Sequence, residues 1–311
     1  MNNITQRDAF WNKIYDLAKA DRNVVVISAD MGAPALDKFR ADFASQFVKV
    51  GIAEQNGIVI AAGLAMVGKH PFVYAIAPFV TLRCLEQIRV ESCMMNIPIT
   101  IVGVGAGVGY DDSGPTHHIM EDIAIMRAMP NITINSISDN VMAEAMAEMS
   151  CSMPTANYVR LDRHPSAALY DKVTDFSQGL AVLRQADDNY IIATGNMVHA
   201  AIDVAKKLEG KKLSVGVVDV YAFPINASLL MEKIGRAKRI ITLEEHFLPG
   251  GLGSAVCEVL NDSGVLIPVK RIGLSTEKAY CYEYGGREEI RKYYGIDQNG
   301  ILKQVTDFMS A

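Results

Sequence analysis

The chain lacks the marks of a membrane protein, a nucleic-acid binder or a disulfide scaffold. No apolar run is long enough to cross a bilayer. Basic residues are in the minority, with 30 Lys and Arg against 35 Asp and Glu and a net charge of −5, so neither nucleic acid nor an anionic membrane is an expected partner. The five cysteines (Cys84, Cys93, Cys151, Cys257 and Cys281) are odd in number, widely spaced and include no Cys-x-x-Cys. That pattern argues against structural disulfides and zinc and favours free thiols in a reducing compartment. The opening residues, Met1-Asn2-Asn3-Ile4-Thr5-Gln6-Arg7, do not read as a signal peptide. Short repeats and low-complexity tracts are also missing. The expected location is the cytoplasm.

What remains is an ordinary globular composition, half hydrophobic and 21% charged, over 311 residues, enough for two domains. Apolar spacing predicts helices over 4–20, 35–43, from 53 onward, 79–95 and 139–149, with a short one near 121–127. Between them lie strands over 23–28, 47–50, 71–76, 99–104, 132–134 and 158–161. These strands are continuous apolar runs, such as Val24-Val25-Val26-Ile27. Strands read that way when helices cover both faces of a parallel sheet. After a polar, irregular stretch the alternation restarts, with strands over 190–193, 213–220, 239–243 and 267–272 and helices over 197–208, 227–234 and 252–260. The expectation is an α/β fold of two domains, 1–165 and 179–311, joined by a linker over 166–178. Each domain is a mainly parallel sheet with helices on both faces.

One carboxylate stands out. Val50-Gly51-Ile52-Ala53-Glu54-Gln55-Asn56-Gly57 joins a β-branched run to an alanine-rich helix. Glu54 therefore sits at a strand-to-helix corner, on the side of an open parallel sheet where ligands bind. An acid in a first helical turn is also favoured by the helix dipole alone. A second stretch, Gly103 to Gly109, has four alternating glycines, but it fits neither Gly-x-Gly-x-x-Gly nor a P-loop. It leads into Gly114-Pro115-Thr116-His117, whose imidazole can handle protons near neutral pH or serve as a cap for the following helix.

The runs Gly51-Ile52-Ala53-Glu54-Gln55-Asn56 and Gly114-Pro115-Thr116-His117 resemble the pyrimidine-binding segment and the Gly-Pro-Thr-His loop of the transketolase family. Deoxyxylulose-phosphate synthases and the β subunits of 2-oxo acid dehydrogenases belong to the same superfamily. The resemblance implies a thiamine-pyrimidine-binding domain followed by a transketolase carboxy-terminal domain. It implies that Glu54 meets the aminopyrimidine ring of thiamine diphosphate and that His117 lies close to the reacting carbon. By the same resemblance Phe79 would stack on the aminopyrimidine, unless it is a core residue. Asp30, in Ser28-Ala29-Asp30, would lie close to the cofactor, unless it caps the next helix. Arg7 and Arg163 match two arginines that hold a sugar phosphate, a task suited to a planar guanidinium. Each also reads as a surface charge, and Arg160 could replace Arg163. Thr242-Leu243-Glu244-Glu245-His246-Phe247 with Gly250-Gly251-Leu252-Gly253 resembles the shared carboxy-terminal domain, where His246 reads as structural.

The resemblance breaks in places. A phosphate-binding histidine of transketolases falls at Gly105, a hydroxyl-binding aspartate falls at Ser113, and a phosphate-binding serine has no match near Ala33 and Pro34. The chain also contains no Gly-Asp dipeptide, whereas the family binds the Mg²⁺ of the diphosphate through Gly-Asp-Gly and a later Asn, oxygen ligands that suit the ion. The implied protein is the carboxy-terminal subunit of a split transketolase. An amino-terminal subunit would supply the diphosphate and Mg²⁺ site, in an α2β2 heterotetramer that moves a two-carbon unit between sugars. The alternative is a decarboxylating synthase of the deoxyxylulose-phosphate type or a 2-oxo acid dehydrogenase β subunit.

Overall fold

The computed structural model describes residues 4–210 and 213–310. The chain folds as two compact units, Met1–Ala106 with Ile125–Thr174, and Gly107–Ala124 with Asp175–Ala311. The expected linker is thus shared out between them. A short segment following the fourth strand belongs to the second unit.

In the first unit the strands are β1 (Val24–Ser28), β2 (Phe47–Lys49), β3 (His70–Ile76), β4 (Thr100–Val104), β5 (Ile132–Ser136) and β6 (Ala156–Leu161). They lie in the order β5-β6-β4-β3-β1-β2, and every pair is parallel. Strands β1, β4 and β6 are buried along their whole length, which is why their sequences are unbroken apolar runs. The helices are α1 (Gln6–Ala20), α2 (Pro34–Asp42), α3 (Glu54–Met66), α4 (Ala77–Val80), α5 (Leu85–Gln87), α6 (Asp122–Met126), where the chain returns from the second unit, and α7 (Asn140–Ser150). Thr5 caps α1 by accepting from the Asp8 N–H, and Asp139 caps α7 through the Met142 N–H. The other Asp139 oxygen accepts the N–H groups of Leu169 and Tyr170, at 2.7 and 3.1 Å. The polar stretch after β6 is therefore anchored, not free. Trp11 and Tyr74 pack edge to face at 4.9 Å inside the core.

In the second unit β7 (Leu180–Arg184), β8 (Asn189–Ala193), β9 (Gly216–Val220), the two-residue β10 (Ala222–Phe223), β11 (Arg239–Phe247) and β12 (Val269–Leu274) alternate with α8 (Met197–Glu209), α9 (Ala227–Ile234) and α10 (Leu252–Asp262). Two further helices, α11 (Arg287–Tyr294) and α12 (Gln298–Ser310), follow. The sheet order is β12-β11-β8-β9-β7, parallel except for the β7–β9 pair.

Three differences from the sequence reading have local causes. The helix expected over 79–95 is broken into α4, a turn at 81–84, α5 and a π-helical segment, Ile88–Met94; π-segments often mark functional sites. β11 runs on to Phe247, because the buried Glu244, Glu245 and His246 continue the strand despite their polarity. The helices α11 and α12 carry little apolar patterning because each buries only two side chains, Ile290 and Tyr294 in one and Ile301 and Val305 in the other.

Candidate active site

Because the six strands of the first unit all pair in parallel, their carboxyl ends share one edge. Glu54 follows β2, Asp30 follows β1, Phe79 follows β3 and Arg163 follows β6. The strand order sets Asp30 between the Glu54 and Phe79 corners. Arg7 is brought to the same edge by α1. Its neighbour Thr5 bridges to Pro165, and the Gln6 side chain accepts the Asp162 N–H at 2.8 Å.

The corner before Glu54 turns at Gly51, which has φ +68°, a conformation favourable to glycine. Glu54 then opens α3, where no side chain caps the helix, so its charge faces the positive end of the helix dipole. The residue is 5% exposed. Its Oε2 accepts from Arg83 Nη1 at 2.7 Å, and the same guanidinium lies 4.4 Å over the Phe79 ring. Sequence reading did not single out Arg83 as a site residue. It can reach Glu54 because the expected long helix is broken by the turn that carries it. The neighbouring Cys84 thiol is pushed up to about 12, first by burial and then by the Glu54 charge.

The other expected residues are more open. Asp30 is exposed and pairs with Lys49 at 3.4 Å. It does not cap α2, whose N-cap is Ala33 with no side-chain hydrogen bond. Both Asp30 and Lys49 line a cavity of about 250 Å³ with Arg40 and Phe47. Arg7 is half-buried beside Asp8 at 2.9 Å. Arg163 is also half-buried, whereas Arg160 is 2% exposed within β6.

The histidine loop belongs to the second unit. Its base is closed by an antiparallel bridge between Gly107 and Ile119. Pro115–His117 form a single 3₁₀ turn in which His117 N–H donates to Gly114 O at 3.0 Å. His117 is half-buried, with Nδ1 3.0 Å from Thr116 Oγ1. The adjacent His118 is buried and its Nε2 lies 3.2 Å from Tyr110 O. Burial holds its imidazole below the ordinary histidine value, against the opposing pull of that carbonyl, and a ring nitrogen facing a carbonyl carries the proton. The two histidines therefore differ in environment: one reaches solvent and the other is part of the core.

Beneath this loop lies Glu245 of β11. It is 2% exposed and accepts from Arg287 Nη2 and Arg291 Nε, each at 2.7 Å, and from Val108 N–H at 3.0 Å. Burial pushes its carboxyl up, but the two guanidinium charges outweigh burial and hold it well below the usual carboxylate range. The adjacent Glu244 accepts the Leu252 and Gly253 N–H groups at the start of α10, at 2.6 and 2.8 Å. His246 is 1% exposed, with Nδ1 2.5 Å from Phe247 O and Nε2 3.3 Å from the Ala124 N–H. Both residues have structural contacts. No signal in the sequence pairs Glu245 with arginines more than forty positions later.

Comparison with known families places residues 2–165 in the transketolase pyrimidine-binding domain and residues 179–301 in the transketolase carboxy-terminal domain. The chain is 34% identical to one subunit of the apulose-4-phosphate transketolase of Phocaeicola vulgatus, over 99% of this chain and 98% of that one. It is 33% identical to 1-deoxy-D-xylulose-5-phosphate synthase 2 of Geobacter sulfurreducens, but covers only 48% of that protein. Among solved structures it matches a split-gene transketolase described as an inactive beta4 tetramer, with a TM-score of 0.85, 30% identity, and coverage of 98% of this chain and 97% of that one.

Proposed function

This chain belongs to the transketolase family, as the carboxy-terminal half of an enzyme divided between two polypeptides, and we propose that Glu54, Phe79 and Asp30 hold the pyrimidine end of thiamine diphosphate while His117 manages protons on the substrate. Membership of the family carries dependence on thiamine diphosphate, which supplies the carbanion chemistry that amino-acid side chains lack. The residues present suit its pyrimidine end: a buried carboxylate able to accept a ring N–H, next to an aromatic ring able to stack. The observation that carries the reading is this pairing of Glu54 and Phe79 around one planar cation, Arg83.

In the transfer of a two-carbon ketol unit from a ketose to an aldose, Glu54 accepts the ring N–H and keeps that proton in place. His117 gives a proton to a substrate oxygen as negative charge develops there and takes one back in the reverse direction. Arg7 and Arg163 bind an anionic sugar head group, phosphate being the natural choice for their planar donors. The division of domains proposed for this task is 1–165 and 179–311, with 166–178 between them.

The partner would be the amino-terminal subunit, carrying the oxygen ligands for Mg²⁺ and the diphosphate, in an α2β2 assembly. Among the described residues no group of three His, Cys, Asp or Glu is placed to hold a metal ion. Ile52, Val59 and Met66 repeat every seven residues along and just before α3 and are exposed, as are Leu82, Met94 and Met95. An apolar face of this kind is normally covered by another chain. The structural neighbour whose tetramer is called inactive is in keeping with the need for a second subunit. No described helix is long and apolar enough to cross a membrane, and the free thiols suit the cytoplasm.

The test is to coexpress the chain with the product of a neighbouring reading frame bearing Gly-Asp-Gly, then titrate thiamine diphosphate and Mg²⁺ by tryptophan fluorescence. Saturable binding by the pair is expected. Glu54→Ala should weaken binding and abolish turnover, with an unchanged circular dichroism spectrum. Normal turnover in that variant sinks the cofactor assignment. Pyruvate as donor separates the alternative, since release of CO₂ would mark a decarboxylating synthase.

A further inference from the structure

We propose that Glu245, held between Arg287 and Arg291, is a positioning residue for the loop that carries His117. The proposal rests on the reading of His117 as the proton-handling group. The loop follows β4, and the groups that hold its shape lie with it in the second unit, on β11, on α11 and just before α11. Glu245 Oε1 accepts the Val108 N–H at 3.0 Å. Gly107 stands at φ +61°, and a side chain there would collide with the Glu245 carboxylate. Three residues past Val108, Asp111 Oδ2 accepts the Arg287 backbone N–H at 2.7 Å. Three residues before His117, a side chain at Gly114 would meet the Tyr284 hydroxyl at 2.6 Å. The base of the loop thus rests on β11, and its shoulder and tip rest on the segment from Tyr284 into α11.

Glu245 joins the two supports. Arg287 Nε lies 3.1 Å from both of its oxygens and Arg287 Nη2 lies 2.7 Å from Oε1, while Arg291 Nε lies 2.7 Å from Oε2. These two arginines occupy successive turns of α11, so the carboxylate fixes the rotation of the helix. Through it the carboxylate fixes the Arg287 backbone N–H that Asp111 accepts. A buried ion triad is weak evidence for stability, because desolvation offsets much of its attraction. What it sets is geometry: each member holds only if the others are aligned. Proton transfer depends on such alignment, and a displacement of about 1 Å can cost roughly a hundredfold in rate.

The experiment is a double-mutant cycle in the assembled two-chain enzyme, using Glu245→Gln and His117→Asn, with Arg291→Gln as a second route if Glu245→Gln does not fold. Glu245→Gln keeps the shape of the side chain and removes the charge. It should lower kcat by about tenfold to a hundredfold while KM and thiamine diphosphate affinity change less than about twofold. In the His117→Asn background the same substitution should cost little more, because it acts through the missing imidazole. Arg291→Lys should restore part of the rate relative to Arg291→Gln. Equal losses in both backgrounds would overturn the proposal, as would a folded Glu245→Gln enzyme with an unchanged kcat. Full activity in His117→Asn alone would remove the histidine assignment instead, and the positioning claim with it.

Discussion

Arg83 reaches across to Glu54, with Nη1 2.7 Å from Oε2, while its guanidinium rests 4.4 Å over Phe79. One flat cation thereby contacts the two groups assigned to the pyrimidine ring. The carboxylate is almost fully buried, whereas the Arg83 side chain is 40% exposed. The pair is therefore a surface cation closing over a buried anion.

This asymmetry makes the stability of the unliganded site depend on Arg83. Arg83→Gln should lower unfolding stability by about 1 kcal/mol, a value reduced from that of a buried pair because the arginine is partly solvated. Adding Glu54→Gln should recover most of the loss, since no buried charge then lacks a partner. Saturating thiamine diphosphate should narrow the gap between wild type and Arg83→Gln, because a second donor then serves Glu54. Denaturant unfolding of the assembled enzyme with and without cofactor measures all three; a gap that widens with cofactor would contradict the shared-site picture.

Gly107 provides a second test. Its φ of +61° disfavours any side chain, and a Cβ would strike Glu245. Gly107→Ala should cost about 1–3 kcal/mol, as expected for strain at such a backbone position, and should lower kcat. Gly210→Ala is the control: its φ is −59° and its Cβ would make an ordinary 3.5 Å contact, so its effect should stay within about 0.5 kcal/mol. Thermal melts of the two variants compare them directly.

Acid should loosen the second unit through Glu245. Its folded carboxyl lies below the ordinary range, whereas the unfolded one titrates near 4.3. Below that value the unfolded chain binds the extra proton, so stability rises with pH. The contribution is complete above about pH 4.3 and is lost progressively as pH falls further toward the folded value. Melting temperatures between about pH 3 and pH 7 should fall more steeply on the acid side for wild type than for Glu245→Gln. Parallel curves would mean that the ionised carboxylate contributes no pH-dependent stability.

Much of the architecture was legible because its causes are local. The buried runs of β1 and β4 announce a sheet covered on both faces, and the helix over 227–234 falls where its apolar spacing puts it. Glu54 was found because a lone acid at a strand-to-helix corner is conspicuous. The breaks in the helix after Phe79 were not legible, since its apolar spacing continues through the turn that presents Arg83. Nor does a residue-by-residue reading give weight to Glu245, whose arginine partners lie more than forty positions later.

The order of residues by itself determined the two α/β units, the edge on which Glu54, Asp30, Phe79 and Arg163 lie, and the family to which the chain belongs. The units and the edge follow from periodicity and from parallel pairing, which sends every strand's carboxyl end the same way; the family follows from the likeness of the Glu54 and His117 segments to those of transketolases. Only the tertiary structure decided that Arg83 covers Glu54 and that the His117 loop is supported by β11 and α11. Those contacts join residues 29 and 137 positions apart. Such pairings depend on where buried charges can find partners, and that is settled only when the chain has closed around them.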